Sequence, residues 1–341
     1  MSKERKLPKA KLLGEWAYLA IKKHFHKILK HEDDVLKDRN PEALHQMRVG
    51  MRRLRSAVTG LAVAVDLPKV AREKQIAKIA RSLGKLRDFD VLLDALENIY
   101  KPHLPSKEAS MLEKALVKLT KQRREAFTDV EVILKHERYK LFKQALKEWL
   151  EKPIYEEIAF LPIQDVLPDL LLPEVSRLFL HSGWLVGLEL KGSENGQNGA
   201  RSPELAIASA GEILHSLRKQ VKRVRYQMNL FSPLYGSNYD NYLQDMKQIQ
   251  TVLGELQDNR VLAEVLTDIL QEPLERVMPM LTEQLAQTRA RAWANWQPLQ
   301  QRYINPEMRL AWRSELLHPL CFVKEKLLVS PAEIMNEARE L

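Results

Sequence analysis

Cysteine is almost missing from this chain. The single Cys321 cannot close an internal disulfide or supply a cysteine-based zinc centre, which excludes the secreted disulfide scaffolds and the common zinc modules. Glycine is scarce as well, 12 in 341 residues, an argument against all-β and glycine-rich α/β folds. No stretch approaches the roughly eighteen uninterrupted apolar residues of a membrane span. Met1 to Lys11 is basic yet lacks the apolar core of a signal peptide. The expectation is a cytoplasmic protein that does not enter a membrane. With 45% hydrophobic and 29% charged residues it can bury a core, and its Leu, Ala, Lys, Glu and Met favour helix.

Charge is present in excess and unevenly placed. The chain carries 54 Lys and Arg against 45 Asp and Glu, a formal net charge of +9. Two segments hold that excess: His45 to Arg55, with Arg48, Arg52, Arg53 and Arg55, and His215 to Arg225, with Arg218, Lys219, Lys222, Arg223 and Arg225. Neither contains an acid, and the remainder of the chain balances. Two focused sites of positive charge imply a polyanionic partner.

The two segments are copies of one pattern. His45-Gln-Met-Arg-Val-Gly-Met-Arg-Arg-Leu-Arg55 aligns with His215-Ser-Leu-Arg-Lys-Gln-Val-Lys-Arg-Val-Arg225 at an offset of 170. Leu83-Gly-Lys-Leu-Arg-Asp-Phe-Asp-Val-Leu92 aligns with Leu253-Gly-Glu-Leu-Gln-Asp-Asn-Arg-Val-Leu262 at the same offset, with six identities in ten. A weaker match sets Arg123 to Phe127 over Arg289 to Trp293 after a small shift. The pattern predicts an internal duplication, with residues 1–155 as one half and 156–341 as the other.

Each half reads as amphipathic helices. The first is expected from about Leu12 to His31, with Trp16, Leu19, Ala20 and Phe25 on its apolar side. Asn40-Pro41-Glu42 opens the basic helix, expected to reach Val65, since Asn caps and Pro suits the first helical position. A third helix is expected over Ala71 to Leu86, continuing or restarting at Asp88 or Asp90 through Tyr100. Others follow over Lys107–Leu134 and Arg138–Leu150. The second half opens near Asp165–Leu190, interrupted or bounded by Pro168 and Pro173, followed by the polar Gly192–Gly199 loop. Ser202-Pro203-Glu204 then repeats the capping chemistry before the second basic helix, which runs to about Phe231. That Gly-rich loop lacks the strand before it and the Lys-Ser/Thr ending of a phosphate loop.

At about 100° per residue, His45, Arg48, Arg52 and Arg55 fall in one row beside an apolar stripe of Met47, Met51, Leu54, Val58 and Leu61. Arg53 stands apart. In the second copy His215, Arg218, Lys222 and Arg225 form the row, beside Leu217, Val221, Val224 and Met228. An ordinary solvated helix relieves such repulsion with acids at i+4, and these rows have none. Arginine dominates both, as forked contacts to phosphate prefer.

The His-x-φ-Arg-x-x-φ-basic-basic-φ-Arg helix followed by Leu-Gly-x-Leu-x-Asp-x-x-Val-Leu resembles the CHAD family, the conserved histidine α-helical domains, over nearly the whole chain. The resemblance implies an all-α fold of two four-helix bundles related by a pseudo-twofold axis, forming one CHAD-like domain over 1–341. It further implies a basic pore or groove that binds inorganic polyphosphate, without catalysis. The residues it assigns to that contact are His45, Arg48, Arg52, Arg53, Arg55, His215, Arg218, Lys222, Arg223 and Arg225. Arg81, Lys85 and Arg87 are further candidates from the first half alone, because Thr251, Glu255 and Gln257 replace them in the second. Association with polyphosphate granules in the cytoplasm would follow.

Four other readings are weaker. Asp88 and Asp258 fit a cap or an Arg-orienting salt bridge better than catalysis. His45 and His215 lack the carboxylate neighbours a divalent metal prefers, so no metal or other cofactor is expected, and His24, His26 and His31 read as surface residues. Leu188-Glu-Leu-Lys191 supplies one of the two Glu in the Glu-x-Glu-x-Lys signature of triphosphatase-type domains. A phosphate-processing enzyme acting through the paired histidines is therefore disfavoured. RNA or another nucleic acid is the alternative ligand, although neither basic segment interleaves aromatic residues for base stacking.

Overall fold

The computed structural model describes residues 10–188 and 203–320, the side chains of 203–209 excepted. Five helices make the first half: α1 (Leu13–Leu36), α2 (Pro41–Gly60), α3 (Glu73–Asp94), α4 (Ser106–Lys135) and α5 (Glu137–Glu151). The second half contains α6 (Ile163–Phe179), α7 (Pro203–Phe231), α8 (Ser237–Leu270), a single turn α9 (Leu274–Val277), α10 (Pro279–Ile304) and α11 (Pro306–Leu317). The described residues contain no strand, only the isolated antiparallel bridges Leu12–Pro162 and Val65–Tyr155. The expected all-α class is what the chain adopts. The Gly192–Gly199 loop, the Ser202 cap, Glu189 to Lys191 and Cys321 lie outside the described residues.

Local chemistry explains most helix limits. The Asn40 side chain accepts a hydrogen bond from the Glu42 amide at 2.8 Å with Pro41 at the first turn, as the sequence predicts. α2 stops at Gly60, short of Val65, because the chain leaves to bond the α5–α6 connector: Asp66 N–H donates to Ile154 O and Glu156 N–H to Ala64 O. α3 does not restart at Asp88 or Asp90. It runs unbroken to Asp94 and continues as a π-helical turn, Ala95–Tyr100, since both carboxylates are engaged by arginines of other helices. α6 carries Pro168 and Pro173 in its interior and ends at Phe179, not Leu190. There His181 Nδ1 accepts from the Gly183 amide and the Trp184 indole donates to Leu178 O at 2.7 Å, closing a 3-10 turn. Leu19, expected among the apolar positions of α1, is half exposed, whereas His24 is buried beside Gly50.

α1 packs on α2, α2 on α3 and α3 on α4; correspondingly α6 packs on α7, α7 on α8, α8 on α10, and α11 closes back on α6. Met47, Met51, Leu54, Leu217, Val221 and Val224 of the basic helices are all buried. At about 1.5–3 kcal/mol for each large apolar side chain, that burial anchors both cationic rows to the core. One hydrophobic cluster runs from Ala10 to Leu316 through both halves. A second joins Leu112 and Leu116 of α4 to Leu262, Leu266, Leu281 and Leu285. Beside it the buried Glu108 carboxylate accepts the Met280 and Leu281 amides at 3.0 Å each, capping α10 from the other half.

Candidate functional site

The basic helices α2 and α7 meet, and the manner of meeting aims their cations at one another. The Gln227 amide donates to Ser56 O at 3.2 Å, and a Cβ on Gly60 would stand 2.0 Å from Gln227 Oε1, so a larger residue there would push the Gln227 side chain out of this contact. One turn away, the Arg52 and Arg225 guanidiniums stand 4.7 and 4.6 Å from the centroid of the buried Tyr226 ring. The ring's electron-rich face partly substitutes for the missing carboxylates between these like charges. Arg225 is further fixed by donating to Gln250 Oε1 at 2.9 Å.

Two arginines are steered by the second sequence motif. Arg48 lies over Gly84 and reaches Asp88 at 3.3 Å; Arg218 lies over Gly254 and reaches Asp258 at 3.8 Å. The Gly-x-x-x-Asp spacing gives each guanidinium a bare strip of helix to cross and a carboxylate one turn beyond it. Both aspartates serve as salt-bridge partners rather than helix caps. Asp88 lies within the field of Arg48, Lys222, Arg218 and Arg87, so the two halves share one electrostatic centre.

Lys222 sits in the middle of that centre. Burial, followed by Arg52, Arg48 and Arg218, lowers its pKa to about 8 against the weaker pull of Asp88. The Nε atoms of Arg52 and Arg218 are buried without a hydrogen-bond partner. Such uncompensated donors are costly in the free protein and suit an incoming oxyanion. A cleft of about 1030 Å³ opens alongside, with Arg52, Lys219, Lys222 and Arg223 on its walls together with Glu73 and Glu156.

The structure thus brings Arg48, Arg52, Arg218, Lys222 and Arg225 together. Arg55 and Arg223 line the same cleft but are held by Glu73 at 2.6 Å and Glu174 at 2.7 Å. Their repulsion is relieved by acids from other helices, which the rows read singly do not reveal. Arg53 turns to α1, where its charge acts on His24 and Lys27. Lys85 is tied to Asp129 of α4 at 3.2 Å, Arg87 stands within electrostatic reach of His45, and Arg81 shares the Asp88 face two turns earlier. Sequence reasoning missed Lys219 as a cleft residue and Tyr226 as the ring between two arginines. The signal for Tyr226 is its position four residues after Lys222, on the same helix face.

The paired histidines flank the centre. Burial first, then Arg87 for His45 and Lys219 for His215, pushes each imidazole below its ordinary 6.5. Both are neutral at physiological pH. Among the described residues no group of three or more His, Cys, Asp or Glu side chains is arranged to hold a metal ion.

These features define a class: an all-helical protein whose two basic helices face a common cationic cleft. The chain belongs to the CHAD family, the CHAD domain model matching residues 19–267. No match was found among curated proteins. Of solved structures, the CHAD domain from the plant Ricinus communis is similar at 24% identity and a TM-score of 0.51, over 93% of this chain and 96% of that one. PptA from Streptomyces chartreusis is similar at 13% identity and a TM-score of 0.56, over 89% and 100%. Both likenesses are of fold.

Proposed function

We propose that the chain binds inorganic polyphosphate and does not turn it over. The observation that carries this reading is the convergence of Arg48, Arg52, Arg218, Lys222 and Arg225 from two helices, where burial first and then Arg52, Arg48 and Arg218 lower the Lys222 pKa to about 8. Cations crowded against their own repulsion are stabilised by a ligand that supplies many closely spaced negative charges. Polyphosphate does so with one charge per phosphate and no apolar part to bury. His45 and His215, neutral near pH 7, act as hydrogen-bond partners for phosphate oxygens.

Nucleic acid fits less well. Single-strand binders offer exposed rings to bases, whereas the Tyr226 ring is buried beneath Arg52 and Arg225. The described residues include no helix long and apolar enough to cross a membrane. On this reading the protein works in the cytoplasm, where polyphosphate granules would recruit it.

The test is a titration with long-chain polyphosphate at several ionic strengths, with RNA as competitor and released phosphate monitored. Affinity should fall steeply with salt, as counterion displacement requires. RNA should compete poorly at equal phosphate concentration, and no phosphate should appear. A flat salt response, or RNA competing equally, would overturn the ligand assignment; phosphate release would overturn the absence of catalysis.

A further inference from the structure

Among the charged positions at which the two halves differ, one lies beside a cavity. In the first half Arg123 of α4 is enclosed by carboxylates: it donates to Asp90 of α3 at 3.0 Å and forms a forked pair with Asp38. The residue aligned with Arg123 is Arg289 of α10, and the residue aligned with Asp90 is Arg260 of α8. The carboxylate has been replaced by a second guanidinium. Arg289 makes no ion pair or hydrogen bond among the described residues, and a cavity of about 320 Å³ opens beside it.

The walls of that cavity are of two kinds. Leu214, Leu253 and Leu256 are buried apolar side chains, while His215, Arg260 and Arg289 supply hydrogen-bond donors. Arg260 is already paired, through Nη2 to Glu212 at 2.7 Å and Nη1 to Glu264 at 3.6 Å, and Glu264 also lines the cavity. Its Nε is nevertheless buried with no partner, as is Nδ1 of His215. An apolar floor, one free cation and two unsatisfied buried nitrogens form an enclosure of the size that takes small molecules.

We propose that this cavity binds a small organic monocarboxylate, whose carboxylate takes the place that Asp90 fills in the first half and whose hydrocarbon body lies on the three leucines. The negative charge belongs with Arg289, the ligand oxygens meet the free nitrogens of Arg260 and His215, and Glu264 opposes any ligand carrying more than one charge. Inorganic phosphates are poorly suited, because their remaining oxygens would face leucine without a partner. The pocket shares only His215 with the residues assigned to polyphosphate, and the inference stands whether or not the cationic cleft binds polyphosphate.

The experiment is a calorimetric titration of the full chain with acetate, butyrate, hexanoate and benzoate, with inorganic phosphate and pyrophosphate as controls. Each methylene buried on the leucines should tighten binding about three- to fourfold, so hexanoate should exceed acetate by about two orders of magnitude. Two variants locate the site. Ala263→Phe fills the cavity from its wall and should weaken hexanoate at least tenfold while leaving polyphosphate affinity unchanged. Arg260→Asp restores the internal carboxylate beside Arg289 and should have the same effect on hexanoate, with retained helicity checked by circular dichroism. Equal binding of acetate and hexanoate, displacement of hexanoate by pyrophosphate, or full hexanoate affinity in folded Ala263→Phe would each overturn the proposal. Loss of polyphosphate binding in an Arg52→Glu variant with hexanoate binding intact would show that the two sites are separate.

Discussion

Arg218 lies directly on Gly254: a Cβ placed there would stand 2.9 Å from Nη2 and 3.2 Å from Nε of the arginine. The corresponding pair in the first half is looser, since a Cβ on Gly84 would meet Arg48 at 3.6 Å, an ordinary van der Waals distance. One motif therefore predicts two different mutational outcomes. Gly84→Ala should raise stability by about 0.5–1 kcal/mol, the usual gain from replacing a helix-interior glycine, and leave ligand affinity unchanged. Gly254→Ala should gain less, because it displaces the Arg218 side chain, and should weaken polyphosphate binding severalfold. Denaturant melts and titrations on both variants check this; equal effects on binding would show that the glycines do not position the arginines.

The fold was readable because its determinants are local. Asn40-Pro41, the spacing of Met47, Met51 and Leu54, and the two repeated motifs each act within a few residues, so helix identity and the core face of α2 and α7 follow from the sequence. What escaped depends on distant partners. Nothing near Arg55 announces Glu73, and nothing near Arg223 announces Glu174, because those acids arrive from α3 and α6. His24 reads as a surface residue until α2 covers it at Gly50. Asp90 reads as a cap until Arg123 crosses from α4. Pro168 and Pro173 read as helix breaks, yet α6 passes through both because its other side is packed on α7 and α11.

The cost of crowding should be measurable in the absence of ligand. Arg52 has a buried, unpartnered Nε and stands close to Arg48 and Arg225, while Arg55 is neutralised by Glu73. Arg52→Gln should therefore raise the melting temperature of the free protein and weaken polyphosphate binding by about tenfold or more, the value of a charge-assisted phosphate contact. Arg55→Gln should lower stability slightly and cost less affinity. Thermal melts with and without polyphosphate separate the two; a destabilised free Arg52→Gln would contradict the repulsion argument.

The histidines set a pH expectation. Because burial and neighbouring cations hold His45 and His215 below 6.5, protonation should strengthen polyphosphate binding only in a window that begins below that value. The same shift has the opposite effect on the free fold. The unfolded chain takes up these protons first, so stability falls as pH drops below 6.5. The His45→Gln, His215→Gln double variant should keep most of its binding near pH 7, lose the acid strengthening, and resist acid better in the free state. Acid-labile phosphate trapped on either imidazole of the wild type would instead identify a nucleophile.

Lys222 offers the most direct reading of the cationic centre. Its folded pKa of about 8 lies below the unfolded value of 10.5, so the unfolded chain holds the proton over that interval and the free fold gains stability as pH rises from 8 towards 10.5. Binding runs the other way. A polyanion beside Lys222 favours its charged form, so the complex takes up a proton between about pH 8 and 9, and affinity falls as pH rises through about 8. Calorimetry in buffers of different ionisation enthalpy reads this uptake directly. Lys222→Arg keeps the charge without titrating, so it should bind at least as well at pH 9 and show no buffer dependence; Lys222→Met should lose both affinity and proton uptake. A binding enthalpy independent of buffer in the wild type at pH 8.5 would mean that Lys222 is remote from the bound phosphates, and the ligand would then lie outside the junction of α2 and α7.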